Sequence, residues 1–205
     1  MKKLLFFCVL LPITLSNNIN AEDKVSSKGF IGVYIGSLNS ELETSVKFNQ
    51  YSLFYGNDST ITEDSSTFGY MFLGGKTSDS GRGYLRLSGG QYEECSVNAI
   101  SLSGDKFFKM SDNLNLYFGL SLGYGGLTWK ENIASFNIKD ETASSLVAGV
   151  QLGGIVTSLS DHAHLDIGYS YLYSNFETVL EAPGGNVEAT LKQLGLLYLG
   201  FNYLF

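Results

Sequence analysis

From Leu114 to Tyr124 the sequence changes character at every residue. Leu114, Leu116, Phe118, Leu120, Leu122 and Tyr124 alternate with Asn115, Tyr117, Gly119, Ser121 and Gly123. The same period recurs where Leu165, Ile167, Tyr169, Tyr171 and Tyr173 alternate with Asp166, Gly168, Ser170, Leu172 and Ser174. A β-strand sends successive side chains to opposite faces, so each segment predicts a strand with one greasy face and one smaller or more polar face.

Segments of this kind predict about eight strands: Lys28 to Leu38, Glu63 to Gly75, Gly81 to Tyr92, Ser96 to Met110, Asn113 to Trp129, Thr142 to Ser158, His162 to Asn175, and Thr190 to Phe205. Several exceed the ~9–11 residues that a tilted strand needs to cross a hydrocarbon layer. Pro12 precedes them all and Pro183 falls in a Gly-rich turn, so no proline interrupts a ladder. The stretch Leu42 to Tyr55 alternates weakly and reads as the rim of a long first loop, or as an extra strand.

The connections alternate in length. Gly75–Gly81, Met110–Asn113 and Ser158–His162 are short and rich in turn-forming residues. Asn39–Thr62, Lys130–Glu141 and Phe176–Ala189 are longer and acidic, and the link at Glu93-Glu94-Cys95 is a short exception. Antiparallel strands would gather the short turns on one rim and the long loops on the other, the asymmetry of outer-membrane barrels.

The direction of the greasy face decides the class. Opposite it lie mostly Gly, Ser, Asn, Asp and Thr, which predict a narrow polar lumen and not a hydrophobic core. Exposed to water, the greasy face would be an apolar patch larger than soluble monomers show. Facing lipid it is solvated, provided that closure satisfies every backbone group. Tyr169, Tyr171 and Tyr173 near one rim, with aromatic residues near the other, fit interfacial girdles. The expected fold is therefore all-β: a transmembrane antiparallel up-and-down barrel of about eight strands.

Residues 1–21 stand apart from that domain, which is expected over 22–205. Lys2 and Lys3, the apolar run Leu4–Leu15 and the exit Ile19-Asn20-Ala21 have the layout of a secretory signal cleaved after Ala21. The apolar run is too short to span a bilayer. Cys8 would leave with it, and Cys95 would remain as a single thiol, expected to be unpaired. There are 20 acidic and 13 basic side chains, two of the latter in the leader, a balance that argues against a nucleic-acid partner.

The final segment alternates through Leu197, Leu199, Phe201 and Tyr203 to Phe205. This resembles the carboxy-terminal signature of Gram-negative outer-membrane proteins, with Phe205 and Tyr203 at the matched positions. Together with the leader, the Gly29-Phe30-Ile31-Gly32 opening and the strand layout, it resembles the opacity-type porin family and the small barrels of the outer-membrane-protein-A transmembrane type. The resemblance implies export to the cell outer membrane. It also implies contact with outer-membrane lipid and lipopolysaccharide, and recognition of Leu199, Phe201, Tyr203 and Phe205 by the assembly machinery. Host or surface ligands would meet the external loops.

Eight strands leave an interior just wide enough for side chains to fill. Strand phase directs Arg86, His164, Asp166 and Lys192 inward, with Arg86 and Lys192 expected to neutralise Asp166; His164 and Lys192 sit close enough to strand ends to be rim residues instead. Barrel lipid-A deacylases place a His, a Ser and an Asn close together on a strand. Here Tyr173-Ser174-Asn175 puts a Tyr at the His position, leaving Ser174 without an activating base. His162 and His164 belong to the opposite rim and lack the further ligands of a metal site. No catalytic, metal or cofactor site is expected. The expected role is structural or adhesive, with a narrow pore as the alternative and a lipid-acting enzyme as a third reading.

Overall fold

The computed structural model describes residues 27–48, 59–130, 141–160, 162–182 and 185–205. The leader assigned to 1–21 and the loop centres at 49–58, 131–140 and 183–184 lie outside the described residues. Eight strands run in chain order: β1 (Lys28–Phe48), β2 (Ser59–Ser78), β3 (Gly81–Gln91), β4 (Cys95–Ser111), β5 (Leu114–Trp129), β6 (Thr142–Ser160), β7 (Ala163–Ala182) and β8 (Gly185–Leu204). Each pairs antiparallel with the next, and β8 returns to β1, closing the barrel.

The stagger of that closure follows from the registers. Ile31 is opposite Gly74, which is opposite Leu85. The row continues through Leu102, Leu122, Ala148, Tyr173 and Gln193. It re-enters β1 at Glu41 and not at Ile31. This offset tilts the strands and sets the barrel's width together with their number. Closure leaves no sheet edge whose backbone groups would go unpaired in lipid.

Outward positions carry the large apolar side chains: Phe68 is 62 % exposed, Leu120 60 % and Leu146 72 %. Between Lys76 and Lys106 on the turn side and Glu41 and Asp64 on the loop side, no outward position among the described residues is charged. A lysine or arginine near the middle of such a band would cost about 2–4 kcal/mol. Tyr70, Tyr124, Tyr169, Tyr171 and Tyr173 lie on its loop-side part, and Phe201, Tyr203 and Phe205 on its turn-side part.

Two sequence expectations are corrected. The segment from Leu42 is not an extra strand. It continues β1, which pairs with β2 as far as Val46–Ser59 and with β8 as far as Phe48–Gly185. Likewise β7 and β8 run through most of the predicted loop Phe176–Ala189. At about 3.3 Å per residue, β1 extends roughly 20 Å along its own direction beyond Leu42. The four neighbours β2, β1, β8 and β7 therefore form a tall wall on one side of the loop end. There β1 and β8 are hydrogen-bonded on both sides, and β2 and β7 each to one of them, which holds these polar segments extended.

The second correction concerns the lumen, which is not filled by small polar groups throughout. Toward the loops it is apolar, with Leu38, Val97, Leu127, Trp129, Phe176 and Leu191 all buried. Water excluded above a sealed layer must be replaced by packed side chains, and these inward positions supply them. Phe30, Leu73 and Leu204 are buried toward the turn end. A polar layer lies between.

Candidate functional site

Every strand except β2 contributes to the polar layer. β3 brings Arg82, Tyr84 and Arg86, spaced by two and hence on one face. Arg82 is its centre. Its Nε lies 2.5 Å from Asp105 Oδ2 on β4, and its Nη1 lies 2.8 Å from Asp166 Oδ2 on β7. Arg82 Cζ is 4.8 Å from the Tyr117 ring centroid and 5.2 Å from that of Tyr84, so the cation also meets aromatic faces.

The carboxylates are held in turn. Tyr117 Oη donates to Asp166 Oδ1 at 2.7 Å and lies 2.5 Å from Tyr198 Oη. Tyr34 Oη lies 2.9 Å from Asp166 Oδ2 and 2.6 Å from Asn202 Oδ1, and it accepts from Arg82 Nη1 at 3.2 Å. Tyr84 Oη donates to Asp105 at 3.2 Å, and Gln151 Nε2 donates to the same carboxylate. A buried ion pair survives only when its remaining lone pairs and protons find partners, and the tyrosines and Gln151 supply them.

Arg86, 1 % exposed, sits in a neutral cradle. It donates to Ser101 Oγ at 3.0 Å, Gln151 Oε1 at 3.0 Å, Ser170 Oγ at 2.9 Å and Ser121 Oγ at 3.2 Å. Gln151 touches both Arg86 and Asp105 and joins the two halves. Two arginines against two aspartates leave the layer balanced in charge. A cavity of about 20 Å³ beside Arg86 has room for roughly one water.

The predicted inward residues separate into three groups. Arg86 and Asp166 both lie in the polar layer, but Arg86 is not the partner of Asp166: Arg82 is. His164 is half-buried at the turn-side mouth and makes no hydrogen bond or ion pair to the layer. Lys192 is on the outer surface. Between Gln193 and Leu191 the register shifts on both sides of β8, and Lys192 is the extra residue relative to β1. One added residue reverses the alternation. Lys192 therefore points outward, where its Nζ lies 2.5 Å from Glu43 Oε2.

Sequence reasoning missed Arg82 and Asp105. Gly81-Arg82-Gly83 resembles a turn, yet Arg82 shares parity with Arg86, and that parity was the available signal. Ser174 is fully buried and donates to the Leu191 carbonyl at 3.2 Å, while His162 and His164 lie at the other end of β7. The terminal residues Leu199, Phe201, Tyr203 and Phe205 all face outward.

A closed wall that is apolar outside, around a lumen crossed by its own ion pairs, defines a small transmembrane β-barrel. No protein-family model and no curated relative matches the sequence. Solved structures of small outer-membrane barrels do match. Neisserial surface protein A is 12 % identical, with 84 % of this chain and 99 % of that one covered, at a TM-score of 0.51. OprG from Pseudomonas aeruginosa is 13 % identical, covering 88 % and 98 %, at 0.50. AlkL, solved in lipid bilayers, is 13 % identical, covering 92 % and 95 %, at 0.52. The chain has the fold of these barrels, and the likeness does not single out the opacity branch.

Proposed function

We propose that the chain is an outer-membrane barrel with a sealed lumen and a structural or adhesive role, exerted through its loop end. The supporting observation is the Arg82–Asp166 pair, which joins β3 to β7. These strands are four apart, on opposite walls of an eight-stranded barrel, so the pair crosses the lumen where a conducting path would run. Function then belongs to the outside of the molecule. The tall wall of β2, β1, β8 and β7 carries Glu41, Glu43, Glu63, Asp64 and Glu177, an acidic surface suited to cationic or divalent-bridged partners.

On this reading residues 1–21 are removed during export, and Leu199, Phe201, Tyr203 and Phe205 are read by the assembly machinery. The mature protein would begin at Glu22, which amino-terminal sequencing of the outer-membrane fraction would establish. Planar-bilayer recording tests the sealed lumen: a silent bilayer is expected, and steady single-channel steps would replace this reading with a narrow pore. Lipid-A mass analysis with and without the protein tests the enzyme alternative, and unchanged lipid A is expected.

A further inference from the structure

The outer wall carries a groove that the lumen does not explain. It has a volume of about 370 Å³, within the roughly 300–1,000 Å³ range of small-molecule sites. It is set where the apolar band gives way to the acidic wall. Below it are Leu197 and Ile35, and above it are Glu43 and Lys192. In a bilayer this is headgroup depth, where tyrosines collect.

The groove is built from four strands. Gly195 on β8 forms its floor, opposite Asn39 on β1 and Tyr171 on β7. Tyr169 lies over this glycine: a Cβ there would clash with Tyr169 Oη, so a larger side chain would push the ring out of its place in the groove. Gln193 braces one side: its Oε1 accepts from Tyr171 Oη at 2.6 Å, and its Nε2 donates to Glu41. Asn39 and Asp64 line the other side, and neither makes a side-chain hydrogen bond or ion pair to a described residue. The site therefore combines tyrosine side chains with a free amide and a free carboxylate.

We propose that this groove binds the uncharged sugar of a glycolipid in the surrounding leaflet. A sugar ring offers an apolar C–H face to the tyrosines and hydroxyls to the planar amide and carboxylate, which can together donate and accept. Glu41 and Asp64 disfavour a phosphate at the same place. The inference rests on the membrane-barrel reading.

The test places the mature chain in nanodiscs holding equal amounts of phosphatidylglycerol and monoglucosyl-diacylglycerol with the same acyl chains, and reads retained lipid by native mass spectrometry. The protein is expected to keep the glucosyl lipid preferentially. Gly195→Leu, which displaces Tyr169, and Asn39→Ala should each reduce that preference, by about tenfold for the loss of one or two contacts. Gly83→Leu is the control: Gly83 is outward-facing with nothing within 4 Å of an added Cβ, and the preference should survive. Heat-dependent gel mobility confirms closure of each variant. Inserted, heat-shifting protein without a glucosyl preference, or with one that both groove variants retain, overturns this inference alone. A chain that does not insert overturns the membrane reading and the inference with it.

Discussion

Arg82 Nη1 and Asp166 Oδ2, on opposite walls of the barrel, are 2.8 Å apart. With Asp105 at 2.5 Å on the adjacent strand, one guanidinium ties three strands together in the middle of the lumen. Removing it leaves two carboxylates buried without a cation. Arg82→Ala is therefore expected to destabilise the folded barrel by about 3–5 kcal/mol, measured by urea unfolding in lipid vesicles. A change within error would show that the pair does not hold the lumen.

Arg86 gives the contrast. Its partners are hydroxyls and an amide, which its loss leaves unsatisfied but uncharged. Arg86→Ala should cost less than Arg82→Ala. In double-mutant cycles the coupling of Arg82 with Asp166 should exceed about 2 kcal/mol, while that of Arg86 with Asp166 stays below about 0.5 kcal/mol. Equal couplings would mean that the two arginines share Asp166.

Lys192 reports on the bulge. A lysine in the lumen would be as costly to remove as Arg82, whereas one on the wet outer surface contributes little. Lys192→Ala should leave the urea midpoint close to wild type, and the small difference should vanish in high salt. A loss like that of Arg82→Ala would place the side chain inside after all.

Cys95 opens β4 at the loop-side rim and is buried. Burial, with the nearby Glu94 charge adding to it, pushes its thiol up to about 12. At pH 8 only about one molecule in 10,000 would carry the thiolate, against about a quarter for a free thiol with a pKa of about 8.5. Alkylation of the folded protein by iodoacetamide should be correspondingly slow and rise about tenfold per pH unit. It should become fast on unfolding in urea. Rapid labelling of folded protein at pH 8 would contradict the burial.

Much of the fold was legible because lipid and lumen impose opposite chemistry on alternate residues. Predicted and observed strands agree within a few residues wherever the outer face meets the apolar band. The reading failed where that contrast ends. Beyond Leu38 both faces are mixed, so the tall wall looked like loops. Toward the loop end the inward face is as apolar as the outward one: Leu196 faces in and Leu197 out, so the apolar upper lumen was hidden. The bulge left one trace, the adjacent polar pair Lys192-Gln193 between Leu191 and Leu194, where strict alternation breaks. Register supplies Gly195 as a neighbour of Asn39 and Tyr171, which no local pattern reveals.

The β1–β8 ladder also sets an order of assembly. Asp166 reaches Arg82 only when the last two strands swing back to meet the first, and until then the guanidinium stands beside Asp105 in an open, wet trough. Zipping the final seam and drying the interior are thus a single event. The Arg82–Asp105 pair joins neighbouring strands and needs no closure, whereas the second carboxylate of the layer gains its cation only with the last seam.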